Sequence, residues 1–177
     1  MMITKALAGA LTLTVLAGAS HAQDQATSDK VVDSKTDWSV FVEENPKECW
    51  GVSAPKETVN TRDGQVVAAT RGQILLMVFY RPSAGATAQV AFTGGYPFKD
   101  DSTVNVNISG NEFSMFTEGE WAWPASPADD AKIVTAMKRG AQAVVTGESS
   151  RGTVTKDTFS LLGFTAAVED AEARCPG

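Results

Sequence analysis

Thr103-Val104-Asn105-Val106-Asn107-Ile108-Ser109-Gly110-Asn111-Glu112-Phe113-Ser114-Met115-Phe116-Thr117 decides the fold class. In an extended chain Val104, Val106 and Ile108 point one way and Thr103, Asn105 and Asn107 the other. That is the period of a half-buried strand. Ser109-Gly110-Asn111 supplies turn residues, and Glu112 to Thr117 returns as a second strand of a hairpin.

Working outward, the same language recurs. Ala88 to Thr93 reads as a strand, and Ile74 to Tyr80 is apolar on both faces, as in a central strand covered from two sides. Trp38, Val40 and Val42 alternate with polar neighbours, although Phe41 breaks the pattern. Cys49 to Ser53 returns after a turn at Glu44 to Lys47, and Asp63-Gly64 marks another turn. Ala141 to Gly147 and Thr153 to Leu161 form a further pair of strands. Eight or nine strands with few βαβ connections predict an antiparallel β-sandwich.

Two segments carry helical signals instead. Ser126-Pro127-Ala128-Asp129 opens one: Ser126 caps, Pro127 suits the first helical position, and Asp129 completes a capping-box-like pattern. Lys138 and Arg139 complement its C-terminal dipole before Gly140. In the tail, Phe164, Ala167, Val168, Ala171 and Cys175 fall on one helical face.

Residues 1–22 read as a secretory signal, with Lys5 ahead of a fourteen-residue run from Ala6 to Ala19 and small residues flanking His21 at Ser20 and Ala22. The run is short for a bilayer span, which needs about 20 residues, and no later stretch reads as a transmembrane segment. Residues 23–36 are polar and read as a flexible lead-in. One domain of about 141 residues, 37–177, follows. His21 is the only histidine, so the processed chain would lack the commonest general base and metal ligand. The formal net charge is −6, one unit more negative once Lys5 is removed. An acidic domain repels phosphate, which argues against nucleic acid. Cys49 and Cys175 predict one disulfide in an oxidising compartment, against the alternative of two free thiols.

No reaction chemistry stands out. Asp100, Asp101, Asn105 and Asn107 lack the order of a calcium loop and read as a solvated turn with its strand. Gly147 to Gly152 has phosphate-loop glycine spacing, but Thr153 stands where Lys is required, between two strands. Glu112, Glu118 and Glu120 are candidates for a carboxylate pair that hydrolyses envelope glycans, with Glu118 and Glu120 on one face of a strand. No cofactor or metal site is expected. Trp121 and Trp123 project to one face of a strand, and with Tyr96 and Phe98 they form a candidate binding surface. The competing reading places these tryptophans, like Trp38 and Trp50, in the core.

Asp37-Trp38-Ser39-Val40, Glu48-Cys49-Trp50-Gly51-Val52, Thr93-Gly94-Gly95-Tyr96-Pro97-Phe98, Glu120-Trp121-Ala122-Trp123-Pro124 and Phe159-Ser160-Leu161-Leu162-Gly163-Phe164-Thr165-Ala166-Ala167, with a final cysteine, occur in that order. From Asp37 to Cys175 the chain resembles the invasion-associated locus B family of exported bacterial proteins. Val40, Phe41 and Val42 occupy a region where members often carry another cysteine. The resemblance implies an immunoglobulin-like sandwich in the periplasm or envelope and carries no catalytic residues with it. The expected function is a non-enzymatic envelope binding or accessory protein, with an invasion association implied by the family's name. Its partner would be an envelope or host protein or a glycan. The alternatives are the carboxylate hydrolase and a purely structural domain of an envelope assembly.

Overall fold

The computed structural model describes residues 31–176, so the signal segment and the first part of the polar lead-in lie outside the described residues. Twelve strands join in one sheet: β1 (Val31–Lys35), β2 (Trp38–Glu44), β3 (Lys47–Ser53), β4 (Glu57–Arg62), β5 (Gln65–Val66), β6 (Leu75–Arg81), β7 (Ala86–Thr93), β8 (Thr103–Ile108), β9 (Asn111–Glu118), β10 (Trp121–Trp123), β11 (Gln142–Glu148) and β12 (Val154–Ser160). Helix α1 (Pro127–Arg139) precedes β11, and α2 (Phe164–Arg174) follows β12. The strand order is β1-β2-β3-β6-β7-β10-β9-β8-β11-β12-β4-β5, with antiparallel neighbours throughout.

The sheet folds over so that its two halves face each other as a sandwich. Phe92 of β7 meets Phe159 of β12 edge to face at 6.1 Å, and the Trp38 indole donates to the Ser160 carbonyl at 3.0 Å. The inward rows, including Trp38, Val40, Leu76, Val78, Val90, Val104, Val106, Ile108 and Met115, form the main core. The hairpin of β8 and β9 turns at Ser109 and Gly110, both with positive φ. This is the conformation a two-residue hairpin of matching twist requires.

Residues 31–36 do not belong to a lead-in, and the count of eight or nine strands was short. β1 pairs with β2 through a tight turn at Thr36 and Asp37. Its side chains are mostly exposed, so no apolar period betrayed it. The very short β5 and β10, and β4 with its polar side chains, account for the remaining strands.

Both helices follow their sequence signals. The Ser126 hydroxyl accepts from the Asp129 N–H at 3.3 Å and donates to its carboxylate at 2.6 Å. Ile133, Val134 and Met137 are buried. β10 pairs with β7 only at Phe92 and Thr93, and beyond it the Val90 N–H donates to the Asp130 carboxylate at 2.8 Å. Burial pushes the Asp130 carboxyl above the usual range, with that hydrogen bond opposing. α2 buries Phe164, Ala167, Val168 and Ala171 and delivers Cys175 to Cys49, Cα to Cα 5.8 Å, in a disulfide. The two cysteines are 126 residues apart in sequence, and closing a loop of that length in the unfolded chain corresponds to roughly 4–5 kcal/mol in the chain-entropy model.

One end of the sandwich is closed by charge. Between β5 and β6 the chain leaves the sheet, and Arg71 reaches inward to Asp157 of β12. Its guanidinium donates to both carboxylate oxygens, at 2.7 and 2.6 Å, and to the Gly94 carbonyl at 2.9 Å. The Arg71 side chain is 6% exposed and the Asp157 side chain 0%. Gly72 donates to the Gly95 carbonyl at 2.8 Å. A Cβ on Gly95 would lie 2.7 Å from the Gly72 backbone, at a φ of +71°.

Two stability predictions follow from these contacts. Asp157→Asn leaves a buried guanidinium without its counter-charge and should cost about 3–5 kcal/mol in denaturant unfolding of the oxidised protein. Replacing both partners, Arg71→Met with Asp157→Leu, should cost much less; equal losses would show that the charge pairing is not the reason. Gly163 has φ +90°, and a Cβ there would collide with the Lys35 carbonyl oxygen. Gly163→Ala should therefore cost more than about 2 kcal/mol, or pull β1 away from the Leu162–Gly163 turn. An unchanged melting curve with unchanged amide exchange in β1 would contradict this.

Candidate functional site

Strands with two apolar faces produce the most conspicuous surface. Where Trp38, Val40 and Cys49 point inward, Phe41 and Trp50 must point outward, because neighbouring residues alternate. The register sets Phe41 beside Trp50, Trp50 beside Phe79, and Val52 beside Met77 and then Ala91. Met77, Phe79 and Ala91 are buried beneath Trp50, Val52, Leu75 and Trp123, and no helix residue belongs to this cluster. At its far side Trp123 pairs in register with Phe116 and Trp121 with Glu118. Phe116 is 47% exposed and Trp121 38% exposed. The Arg81 guanidinium lies 4.2 Å from the Phe79 ring centroid and is held by Glu48 and Gln89.

The rings are stacked in pairs. Phe41 and Trp50 are stacked at 5.4 Å with planes 5° apart, and Trp121 and Trp123 at 5.8 Å with planes 25° apart. Within each pair one ring face is turned toward its neighbour. Paired, partly exposed aromatic rings offer apolar area to a partner.

The four residues of the sequence-based binding surface do not meet. Trp121 and Trp123 lie on this outer face. Phe98 is buried in the main core against Phe92 and Tyr96, and Tyr96 is half-buried on the same side. The loop after β7 turns Tyr96 and Phe98 inward, an outcome with no local periodicity to reveal it. Trp50 is not a core residue of the sandwich either. Its outward position is legible in hindsight from Cys49, and the irregular Phe41 is the same signal.

A second feature is a polar cleft of about 390 Å³, lined by residues that include Asn60, Arg62, Arg71, Tyr96, Glu120, Ser150, Arg151 and Thr153. The Tyr96 and Thr155 hydroxyls share a 2.6 Å hydrogen bond. Burial pushes the Tyr96 phenol above its ordinary pKa, with the Thr155 hydrogen bond and the Arg71 charge opposing. Glu118 and Glu120 do not share a face. The chain turns between them at Gly119, φ +58°, so Glu120 lines this cleft while Glu118 lines a different pocket beside Arg81 and Trp123. The turn between β11 and β12 is a hairpin, with the Gly152 N–H donating to the Ser149 carbonyl at 2.8 Å.

No functionally curated protein matches the chain. The solved structure of invasion associated protein B from Bartonella henselae is similar, with a TM-score of 0.53 at 12% identity over 80% of this chain and 95% of that one. That likeness supports the sandwich fold. The family model for the invasion associated locus B (IalB) protein matches residues 38–172, most of the length described above, and the chain therefore belongs to the invasion associated locus B family.

Proposed function

We propose that the protein is exported on a signal peptide, residues 1–22, and acts in the periplasm or envelope as a non-catalytic binding protein. Its partner is a protein that presents apolar side chains to the outer aromatic face. The observation that carries this reading is the row of Phe41, Trp50, Trp123, Trp121 and Phe116 over the buried Met77 and Phe79 on the outer face of the sheet. Contiguous apolar surface of this kind marks interaction sites in soluble proteins. Aromatic residues are also enriched where binding energy concentrates. The same face would serve the invasion association for which the family and the Bartonella henselae protein are named.

The hydrolase alternative loses the Glu118–Glu120 pair. Its two carboxylates needed to be roughly 5–10 Å apart across one substrate, and Glu118 and Glu120 line separate pockets. A processed chain without histidine also lacks the side chain most often used for proton transfer near neutral pH.

Two measurements test the proposal. Intact mass of the protein recovered from the periplasmic fraction should correspond to a chain starting at Gln23 with Cys49 and Cys175 oxidised. A mass that retains Met1, or free thiols in the native compartment, would refute export. A photocrosslinker at Phe116 should give a discrete adduct in intact cells, and Trp121→Ser should abolish it while lowering stability by only about 1 kcal/mol or less. The same probe at Lys156, on the exposed face of the opposite half, should give none. Equal adducts at both positions, or none at Phe116, would sink the aromatic-face reading.

A further inference from the structure

We propose that the polar cleft at the end of the sandwich closed by Arg71 and Asp157 binds a hydroxylated ligand carrying one carboxylate, of the size of a uronic acid sugar. β12 and β4 line this end, and their inward positions are Thr155, Asp157, Asn60 and Arg62, with Thr153 just before β12. Further along β12 the same inward row becomes apolar at Phe159. A sandwich that needed only a core would continue that row with apolar residues, because polar groups facing inward must each find a partner. Here the polar row opens onto a cleft of about 390 Å³, within the range of roughly 300–1,000 Å³ typical of small-molecule sites.

Charge selects the ligand. Of the six arginines in the chain, Arg71, Arg81 and Arg174 are paired with Asp157, Glu48 and Asp170. Arg139 has no carboxylate partner but sits in the last turn of α1, where a cation complements the helix dipole. The two that remain, Arg62 and Arg151, line the same cleft. Arg62 donates to the Thr153 hydroxyl at 2.7 Å, and neither has an ion-pair partner among the described residues. This is an accumulation of unneutralised guanidinium in an acidic protein.

Guanidinium is the side chain best matched to a planar oxyanion, through paired N–H donors. Glu120 on the wall subtracts one charge from these two, while Arg71 and Asp157 cancel. The net surplus of one fits a singly charged carboxylate better than a doubly charged phosphate. The hydroxyls of Ser150 and Thr153, the Asn60 amide and the Glu120 carboxylate supply donors and acceptors for the hydroxyl groups of the ligand's body.

The floor of the cleft is preorganised. Arg71 is fixed by Asp157 and Gly94, lies 5.1 Å from the Tyr96 ring centroid, and leaves Tyr96 bonded to Thr155. The Val67 N–H donates to the Asn60 carbonyl at 2.9 Å, which ties the wall to β4. Binding would thus require ordering of little more than Arg62 and Arg151 themselves.

The test is a titration of the full exported, oxidised protein, followed by backbone amide NMR, with glucuronate, glucose and inorganic phosphate as separate probes. Glucuronate should shift the amides of Gly95, Arg151 and Thr153, saturably, and more weakly as salt is raised. Arg151→Gln, which breaks no contact within the protein, should weaken binding about tenfold. Arg62→Gln should do the same, and Arg139→Gln should leave affinity unchanged. The proposal is overturned if glucose binds as well as glucuronate, if phosphate binds more tightly, or if Arg139→Gln weakens binding as much as Arg151→Gln. It is equally overturned if glucuronate produces no saturable shift. None of these outcomes bears on the aromatic face, which lies on another surface of the molecule.

Discussion

A fully buried carboxylate in the middle of a strand is stable only if a cation is brought to it, and Asp157 receives Arg71 from 86 residues away in sequence. That requirement shapes the end of the sandwich. The chain between β5 and β6 has to leave the sheet, carry Arg71 inward and then enter β6 at the centre of one half. It makes the passage by pressing Gly72 against Gly95, where neither residue has a side chain to obstruct the other. Because the end is closed by an ion pair and a hydroxyl pair instead of apolar side chains, the inward row of β12 and β4 stays polar and a cleft remains. Replacing the pair with apolar residues of similar volume would keep the fold and remove the fixed floor of that cleft.

The other half of the sheet shows the opposite economy. β6 is buried on both faces, although a second layer covers only one. Its outer residues Met77 and Phe79 are shielded by Trp50, Val52, Leu75 and Trp123 reaching over from flanking strands. Large aromatic neighbours thus act as a partial second layer, and their rims become the surface. The patch lies in the interior of the sheet. Its free edges are elsewhere, at β1, which carries Asp33 and Lys35, and at β5, only two residues long. Charge and short length are the usual means of blunting edge-to-edge pairing. They leave the aromatic face able to contact a partner through side chains without inviting strand addition.

What could be read from the sequence divides along the range of the interactions involved. α1 and α2 were legible because capping, dipole charges and helical spacing are local, and the hairpin of β8 and β9 because alternation and turn chemistry lie within fifteen residues. Cys49 and Cys175 were legible because only two cysteines exist. β1 was hidden since an edge strand exposed on both sides has no apolar period. The aromatic face was half hidden, because the period-two argument assigns one apolar face to a strand and treats Phe41 as noise. Tyr96 and Phe98 were misplaced with the tryptophans, as a loop's direction is set by what it packs against. Glu118 and Glu120 were misjudged through a single backbone feature, the positive φ at Gly119, which ends the alternation between them. Arg71 and Asp157 left no trace at all, because a buried ion pair across 86 residues has no pattern shorter than the fold.

The cleft and the absence of histidine among the described residues bear on the same question. A hydrolytic site needs a group that can take a proton near neutral pH and a second that can give one. Behind the cleft Asp157 has both oxygens occupied by Arg71, and burial pushes the Tyr96 phenol above its ordinary pKa. Arg62, Arg71 and Arg151 are donors only, and Thr153, Ser150 and Asn60 are neither strong acids nor strong bases. That leaves Glu120 as the one carboxylate not already paired, a single acid where carboxylate-only hydrolysis requires two. The inventory is rich in fixed donors and poor in movable protons. Such a set of groups is matched to holding an anion in place, which is the role proposed for this cleft.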